Sequence, residues 1–346
     1  MALTQAVIDN VAAAAIDYHM DKGKLFYQHI QSKPLLDTMM RNKKTFPGGK
    51  GNITLRPVFE TQSTVQGFNS DDTLVFTNPT PIKTLTFSWK MLHLGITMTT
   101  DELLRDGISV VDTNGAQTTE HSQREVTMLA NILQSKLDDA AEGFAVGLNN
   151  ILWKDGTQSA KEFPGIPYFI SDVVATGTVA GIDRATTPLW RNVSLAGANA
   201  VTPNPTTQAL INTLRKQVRQ LTRYGTPKYK ILCGSDFLDA IESEYAAHGV
   251  YSQTGFEKGG DVGVGKLTLN GLGTFEYDPT LDALGKSKYC YFIDTTKFKL
   301  MPIEGEDMKK HFPARPFDKM VIYRSFTWAG ALVATQLNTS MVVAIV

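Results

Sequence analysis

The chain has 346 residues, of which 42% are hydrophobic and 20% charged, and this balance excludes an intrinsically disordered protein. The length favours two domains, or one domain with extensions, over a single simple core. Lys plus Arg equals Asp plus Glu at 34 each, so the chain lacks the basic excess of a protein that reads nucleic-acid sequence. The resulting net charge of zero also leaves self-association unopposed.

The cysteines, the apolar runs and the N-terminus argue against a zinc-binding or disulfide-stabilised protein, a membrane-spanning protein and a secreted protein. Cys233 and Cys290 stand in separate segments without CxxC spacing, so they support neither a zinc site nor a disulfide framework, and they indicate folding in a reducing cytoplasm. No apolar run approaches the roughly 18 residues needed to span a bilayer. The N-terminal segment lacks a basic start and carries Asp9 inside its apolar stretch, so we do not expect a secretory signal.

The first fifty residues predict an arm rather than a domain. Residues 3–20 predict a short helix, and the basic, irregular segment after it ends in the breaker run at 47–51. This part of the chain holds too little apolar surface for a core of its own. We therefore expect residues 1–50 to pack on another body.

Two strands with alternating apolar residues are predicted between residues 51 and 99. The first, 52–59, contains Pro57, which argues against a central position in a sheet. In the second, the apolar phase shifts by one residue at Met91-Leu92, which requires a bulge or a change of packing partner. The side chains predicted to share the apolar face are Ile53, Leu55, Phe59, Leu85, Phe87, Trp89 and Met91.

The simplest arrangement of these strands is a long hairpin whose outer part packs against one body and whose base packs against another. A lone two-stranded hairpin is marginally stable at best in water. The sequence offers no evident local segment to cover the apolar face. We therefore expect a neighbouring subunit to cover it, which makes the seven apolar side chains predicted assembly contacts.

A long helix dominates the middle of the chain. Residues 118–152 carry apolar residues at spacings of three and four, which predicts a helix of roughly 50 Å at about 1.5 Å per residue. Residues 160–205 are rich in Gly and Pro and predict irregular structure.

The remainder predicts a mixed α+β region. Helices are predicted over about 207–224 and 236–247, and a glycine-rich loop over 249–265. The predicted strands cover residues 229–233, 266–277, 289–294, 297–301, 320–328 and 331–345.

The sequence contains one nucleotide-like motif, GxxxxGK, from Gly260 to Lys266. A phosphate-binding loop needs Ser or Thr next to hold magnesium, but Leu267 follows, and a strand rather than a helix is predicted there. A surface loop is the favoured interpretation. The six histidines form no HxxxH or HExxH pair and no GxSxG motif occurs, so we predict no catalytic residues, metal site or cofactor.

The most specific local pattern is GTVAGIDR at residues 177–184 followed by PLWRN at 188–192, after the Phe-Pro-Gly-Ile run at 163–166. It resembles the GGIDR…P.WRN stretch of a group of major capsid proteins of tailed bacteriophages. That family shares the Hong Kong 97-type shell fold with bacterial encapsulins. The order of predicted elements along the whole chain is similar to the family, while only residues 163–192 match it at the residue level.

The resemblance implies an α+β Hong Kong 97-type capsid fold with a fixed order of parts. The implied parts are an N-terminal arm at 1–50, an extended two-stranded loop at 51–99, a peripheral domain at 100–205 with a spine helix at about 118–152, an axial domain at 206–315, and a return to the peripheral sheet at 316–346.

The resemblance also implies a structural protein rather than an enzyme. Its copies are expected to form the pentamers and hexamers of an icosahedral head that encloses phage dsDNA, assembled in the bacterial host cytoplasm and located in the virion. Some relatives carry a long N-terminal scaffolding segment that a protease removes. This chain has no room for one, so a separate scaffolding protein is expected, together with a portal. A decoration protein is a further candidate partner, and no membrane is involved.

Three other functions compete with this prediction. An encapsulin-like compartment shell has the same fold but encloses enzymes, and a cargo protein encoded nearby would distinguish it. A nucleotide-binding enzyme that uses Gly260 to Lys266 is disfavoured; nucleotide binding lost on Lys266→Ala would support it. A receptor-binding or tail component is disfavoured by the long helix and the absence of repeats.

A basic stripe at i, i+4 and i+8 lies on the second predicted helix, formed by Arg215, Arg219 and Arg223. A solvated face is the simplest interpretation. The alternatives are a charged contact between subunits, which would add these arginines to the predicted assembly contacts, and weak non-specific contact with packaged DNA.

Overall fold

The computed structural model describes residues 2–4, 33–59, 63, 65–74, 76, 78, 80–99, 101–102, 109–111, 123–246, 266–269, 271–311 and 321–346. The α-helices in these ranges are α1 Pro34–Arg41, α2 Gln123–Leu152, α3 Ile166–Phe169, α4 Ala209–Leu221, α5 Ser235–Ala246 and α6 Pro279–Ala283, with 3₁₀ turns at Pro188–Trp190, Gly197–Asn199 and Thr222–Tyr224. The strands are β1 Ala2–Thr4, β2 Asn52–Leu55, β3 Leu85–Ser88, β4 Lys90–Thr99, β5 Ser109–Val111, β6 Thr178–Val179, β7 Ile182–Asp183, β8 Val193–Leu195, β9 Tyr229–Cys233, β10 Lys266–Leu269, β11 Gly273–Tyr277, β12 Tyr289–Asp294, β13 Phe298–Pro302, β14 Lys309–His311, β15 Val321–Ala334 and β16 Met341–Ala344. None of the helices in these ranges combines the length and apolarity needed to cross a bilayer.

A six-stranded mixed sheet in the order β10-β11-β9-β12-β16-β8 lies between two hydrophobic clusters. Successive residues of its central strands point to opposite faces, as a strand requires. On β12, Phe292 packs with α4 and α5 in one cluster, while Tyr291 and Ile293 pack in the other. Because both faces are covered, the strand is buried almost throughout, which explains its nearly continuous apolar sequence.

A second sheet is built on the long strand β15. It pairs antiparallel with β4 over ten residues, from Val321 opposite Thr99 to Gly330 opposite Lys90. Its other edge pairs with β13 and β14. Two-stranded sheets complete the described fold, pairing β1 with β5, β2 with β3 and β6 with β7.

The end of helix α2 is fastened to the six-stranded sheet by buried polar contacts. Trp153 Nε1 donates to Asp278 Oδ2 at 2.9 Å, and Asn149 Nδ2 donates to Thr280 Oγ1 at 2.8 Å. The Trp153 ring lies 5.2 Å from that of Tyr291. Burial raises the pKa of Asp278 above its usual value, and the hydrogen bonds from Thr280 and Trp153 oppose that rise. The long helix and the sheet are therefore held as one body at this point.

A buried carboxylate on a neighbouring helix caps the N-terminus of α4. The N-cap residue Gln208 has a left-handed backbone and makes no side-chain cap. Instead, Glu244 of α5 accepts hydrogen bonds from the backbone N–H groups of Asn204, Leu210 and Ile211 at 2.7, 3.0 and 3.1 Å. Leu210 and Ile211 lie in the first turn, whose N–H groups have no intrahelical partner, and Asn204 lies in the segment before it. Glu244 therefore couples the two helices that cover one face of the sheet.

The predictions from periodicity are confirmed for the strongest signals. Helices α4 and α5 and strands β9 and β12 lie where the sequence predicted them. The long helix is confirmed from Gln123 to Leu152, and residues 118–122 lie outside the described residues. Most of the predicted N-terminal helix at 3–20 and the whole predicted loop at 249–265 also lie outside them.

Three predictions about element boundaries are wrong. Residues 2–4 form a strand rather than the start of a helix, because they pair in parallel with Ser109–Val111. The single strand predicted at 266–277 is the antiparallel pair β10 and β11, which reverses through Gly271 at φ 82°. The strands predicted at 320–328 and 331–345 are one continuous strand to Ala334 followed by the separate β16.

The sheets also cross the predicted domain boundaries. Residues 316–346 were predicted to return to one sheet, but only β15 joins β4, while β16 lies in the six-stranded sheet between β12 and β8. The reason is that all four residues of β16 are buried, which suits an interior strand. Strands β13 and β14, inside the predicted axial segment 206–315, pair with β15 instead.

We expect Glu244→Ala to lower the free energy of unfolding by about 3 kcal/mol, because it leaves three backbone donors without their acceptor. Asp239→Ala, which removes an exposed carboxylate from the same helix, should stay within about 0.5 kcal/mol of the parent chain. Urea unfolding followed by circular dichroism measures both. Equal effects of the two substitutions would contradict the capping role of Glu244.

Candidate assembly surface

A hairpin is built from β2 and β3, paired in the register Asn52 opposite Ser88 to Leu55 opposite Leu85. A bridge between Val58 and Ile82 extends the pairing. We call the described residues of 52–88 the hairpin. Its base is 52–57, Phe59 and 83–88, and the other described residues form its tip. The next strand, β4, leaves this pair and joins β15.

The apolar phase shift in the sequence marks this change of partner, as predicted. The structure places the change at Trp89, between β3 and β4, rather than at Met91-Leu92. Ile96 and Met98 are buried on the new partner, whereas Met91 is 59% exposed. The indole Nε1 of Trp89 donates to Lys50 O at 3.1 Å, which pins the corner between the two pairings.

The chain itself covers the apolar face of the hairpin base, where we expected a neighbouring subunit to cover it. Ile53, Leu85 and Phe87 are buried in the main hydrophobic cluster. Leu55, Phe59 and Trp89 are partly buried against it. The cover was not evident in the sequence because it comes from the irregular segment about one hundred residues later, where the Phe169 ring lies 6.0 Å from that of Phe87.

We call this covering segment, residues 163–192, the clamp. The backbone N–H of Thr86 donates to Ala180 O at 2.9 Å, which occupies the free edge of β3. The ring of Trp190 meets that of Phe59 edge-on at 5.3 Å. Lys83 Nζ donates to Thr187 Oγ1 at 2.7 Å and lies 5.7 Å from the centre of the Phe59 ring. The hairpin base therefore contacts the clamp of the same subunit through a backbone hydrogen bond, an aromatic ring contact and a lysine side chain.

Buried side chains hold the irregular backbone of the clamp together. The guanidinium of Arg184, which is buried, donates to the carbonyl oxygens of Phe169 and Val173. Arg191 Nε donates to Arg184 O at 2.7 Å, and Trp190 Nε1 donates to Val179 O at 3.0 Å. Burial lowers the pKa of Arg184, and the charge of Arg191 adds to this effect. Loop backbone without a strand partner needs such donors, so these residues are structural.

The turn that touches β3 is a tight hairpin between β6 and β7. Its two central residues, Ala180 at φ 53° and Gly181 at φ 83°, both have positive φ, as a type I′ turn requires. The Asp-Arg pair that follows and the Trp-Arg-Asn run complete the stretch on which the sequence resemblance rests. That stretch is therefore the part of the chain that packs against the hairpin base.

The tip presents large apolar side chains to solvent. Val65 and Phe76 are 103% and 91% exposed. The other exposed apolar side chains of the tip are Val58, Phe68, Leu74 and Ile82. These side chains are not predicted by periodicity, because they show no strand alternation within a polar, Asp- and Pro-containing stretch. Large apolar residues without a period are the signal that could have found them.

The ten predicted assembly residues do not form one site. Of the seven apolar residues predicted as assembly contacts, six belong to or pack on the main cluster, and Met91 is exposed. Arg215, Arg219 and Arg223 lie on the exposed side of α4 and the 3₁₀ turn after it. That helix packs in the second cluster, which contains none of the hairpin residues.

The remaining candidate sites carry little chemistry. Gly260 and the rest of its motif up to residue 265 lie outside the described residues, and Lys266 begins β10, a strand as predicted. Cys233 and Cys290 are cross-strand partners and both are buried free thiols. Burial raises the pKa of Cys233 to about 12. In the described parts of the chain, no group of three or more His, Cys, Asp or Glu side chains could hold a metal ion.

An open cleft of about 370 Å³ lies at the end of α2, between Trp153, Asp155, Asp172, Leu284 and Lys286 among others. Two of its charged side chains are bound within the fold. Asp155 accepts hydrogen bonds from Thr157 and Gln158, which lower its pKa, and Lys286 Nζ donates to Tyr291 OH at 3.0 Å.

Comparison with known proteins identifies the fold. No family model and no curated protein matches the sequence. The capsid asymmetric unit of cyanophage A-1(L) is similar at a TM-score of 0.64 and 16% identity, over 90% of this chain and 92% of that one. The capsid of a native gene transfer agent (GTA) particle gives 0.52 and 10% over 91% of each chain. The capsid of Myoviridae phage XM1 gives 0.50 and 10%, over 89% of this chain and 92% of that one. The chain has the predicted α+β Hong Kong 97-type capsid fold.

Gly165 joins the clamp to the end of α2, and we expect Gly165→Ala to destabilise the chain by about 3 kcal/mol. A Cβ there would lie 2.2 Å from Leu152 O, and backbone atoms cannot yield as a side chain does. Gly147→Ala on the same helix meets no atom within 4 Å and should stabilise the chain by about 0.5–1 kcal/mol. Thermal unfolding compares the two. A loss of stability for Gly165→Ala no larger than the change for Gly147→Ala would contradict the importance of this contact.

Proposed function

We propose that the protein is a major capsid protein that forms the pentamers and hexamers of an icosahedral head around phage dsDNA. The observation that carries the proposal is the hairpin, whose base is held by its own chain while its tip exposes six large apolar side chains. A subunit that stayed alone would leave this surface in water.

The apolar side chains of the tip are unfavourable in the water around a monomer, but a contact between shell subunits can bury them. Extensive exposed apolar surface on a folded protein marks an interaction site. Each large apolar side chain contributes about 1.5–3 kcal/mol when it is fully buried, so six of them would favour association strongly. If the tip packs on a different surface of the neighbouring subunit, the contact is heterologous, and such contacts generate rings where the rotation closes.

The structural similarity supports the same function. The similar structures named above are capsids of phages and of a gene transfer agent, which favours a virion over an encapsulin-like compartment. It also favours a structural role over the nucleotide-binding alternative. We infer that assembly takes place in the bacterial cytoplasm with a separate scaffolding protein and a portal, and that a decoration protein is an optional partner.

The direct test is to express the chain with and without the scaffolding protein encoded beside it. Negative-stain electron microscopy and analytical ultracentrifugation then identify the products. We expect closed icosahedral particles, or pentamers and hexamers. A homogeneous monomer or dimer under every condition would contradict the proposal, and an enzyme cargo encoded nearby would favour the encapsulin alternative.

The tip should be needed for assembly but not for folding. We expect the double substitution Val65→Ser and Phe76→Ser to abolish or sharply reduce shell formation, since it removes two of the most exposed apolar side chains. The stability of the subunit should change by less than about 0.5 kcal/mol per site, because neither side chain packs in the core. Sedimentation measures assembly and urea unfolding measures stability.

A matched control removes one valine and one larger apolar side chain elsewhere. Val346 and Leu284 are also exposed, and neither lies on the hairpin or the clamp. The double variant Val346→Ser and Leu284→Ser should form shells like the parent chain. If the tip variant also forms normal shells, the assembly role of the tip is wrong.

A further inference from the structure

We propose that one exposed face of the chain binds the phosphate backbone of double-stranded DNA. We call it the basic face, and its members are Arg215, Lys216, Arg219, Arg223 and Lys228. The inference rests on the proposed function, because the inside of a head is where a capsid protein meets DNA.

Charge is strongly segregated around this face although the whole chain is neutral. Residues 184–235 contain eight Lys and Arg and no Asp or Glu. Three of these cations are used within the fold: Arg184 and Arg191 bind backbone carbonyl oxygens, and Lys230 pairs with Glu276. The other five are the members of the basic face, and all five are exposed.

The cations of the basic face have no internal counterions. Among the described residues, none of the five forms an ion pair with a carboxylate. Arg219 Nε donates to Arg215 O at 3.2 Å, and the Arg223 guanidinium lies 5.7 Å from the Tyr224 ring centre. Both contacts leave the terminal guanidinium nitrogens free to bind an external anion.

Helix stability alone does not explain this charge pattern. The helix dipole favours cations in the last turn of α4, which accounts for Arg219. The same dipole favours a carboxylate in the first turn, yet that turn has none. The buried Glu244 of α5 satisfies the helix start instead. The exposed surface of α4 therefore carries cations from Arg215 onward and no carboxylate along its whole length.

The spacing and chemistry of the arginines suit a phosphate chain. Steps of four residues advance the stripe by about 6 Å each, or about 12 Å from Arg215 to Arg223, at about 1.5 Å per residue. One DNA strand presents three to four phosphates over that length, at about one per 3.4 Å. Guanidinium groups bind phosphate through two parallel hydrogen bonds.

An acidic protein segment is the competing occupant, and the surface fits it less well. A protein interface usually has an apolar anchor at its centre. Thr222, Gln220 and Thr226 are the exposed neighbours of the arginines, and Tyr224, at the end of the stripe, is the exposed aromatic side chain there. A polar surface with regularly spaced charge fits a polyanion whose charges are themselves regularly spaced.

The test measures binding of a short mixed-sequence DNA duplex to the full chain by fluorescence anisotropy between about 50 and 200 mM salt. The variant is the triple substitution Arg215→Gln, Arg219→Gln and Arg223→Gln. The control is Lys44→Gln, Lys161→Gln and Lys288→Gln, which removes the same charge from exposed sites on other parts of the chain.

We expect the arginine variant to weaken binding at least about tenfold at low salt and to lower the salt slope of log K by about 2–3, as the loss of two to three phosphate contacts requires. The lysine control should lower the slope by less than about 1. Equal losses in both variants, or no loss in either, would overturn the proposal.

Two further measurements distinguish DNA binding from binding of an acidic protein, and failure of this inference from failure of the proposed function. If the arginine variant keeps its DNA affinity but loses binding of poly-L-glutamate, the face belongs to an acidic protein partner and the DNA proposal is wrong. Shell formation is followed in the same variants. Normal shells with weakened DNA binding support the inference, whereas failure of the parent chain to form shells refutes the proposed function and leaves the salt slopes to decide the inference.

Discussion

The arrangement of this protein depends on the burial of the hairpin base against the clamp. Phe87 meets Phe169, Phe59 meets Trp190, and the amide of Thr86 reaches the carbonyl of Ala180. A free hairpin would be marginal in water, so these contacts decide whether the hairpin exists before assembly. Because they lie within one chain, the subunit presents its tip in a fixed place, and association need not include the cost of ordering the hairpin base.

Contacts within the chain also connect the clamp to the long helix and the six-stranded sheet. The clamp begins where α2 ends, at the contact between Gly165 and the carbonyl of Lys154, and α2 is itself fastened to the six-stranded sheet through Trp153 and Asp278. Hairpin, long helix and sheet therefore form one connected body within the described residues. A displacement at any of these joints would move the tip relative to the basic face on α4.

Periodicity predicted the parts of the fold that it can encode. The spacing of Leu210 and Leu214 on α4, and the alternation of the hairpin strands, follow from burial of one face and needed no tertiary information. The cover of the hairpin was missed because the clamp has no period, and its backbone is held by long side chains such as Arg184 that reach distant carbonyls. The cap of α4 was missed for the same reason, since Glu244 acts from another helix. The sheet position of β16 depends on non-local pairing, which no local pattern records.

Amide hydrogen exchange on the unassembled subunit tests the central claim most directly. If the chain covers its own hairpin, the amides of Thr86 and Phe87 are protected like those of β12, while the amides of Val65 and Phe68, which lie outside any strand, exchange quickly. Rapid exchange at Thr86 and Phe87 that slows only on assembly would contradict the account. It would show that a neighbouring subunit, and not the clamp, holds the hairpin.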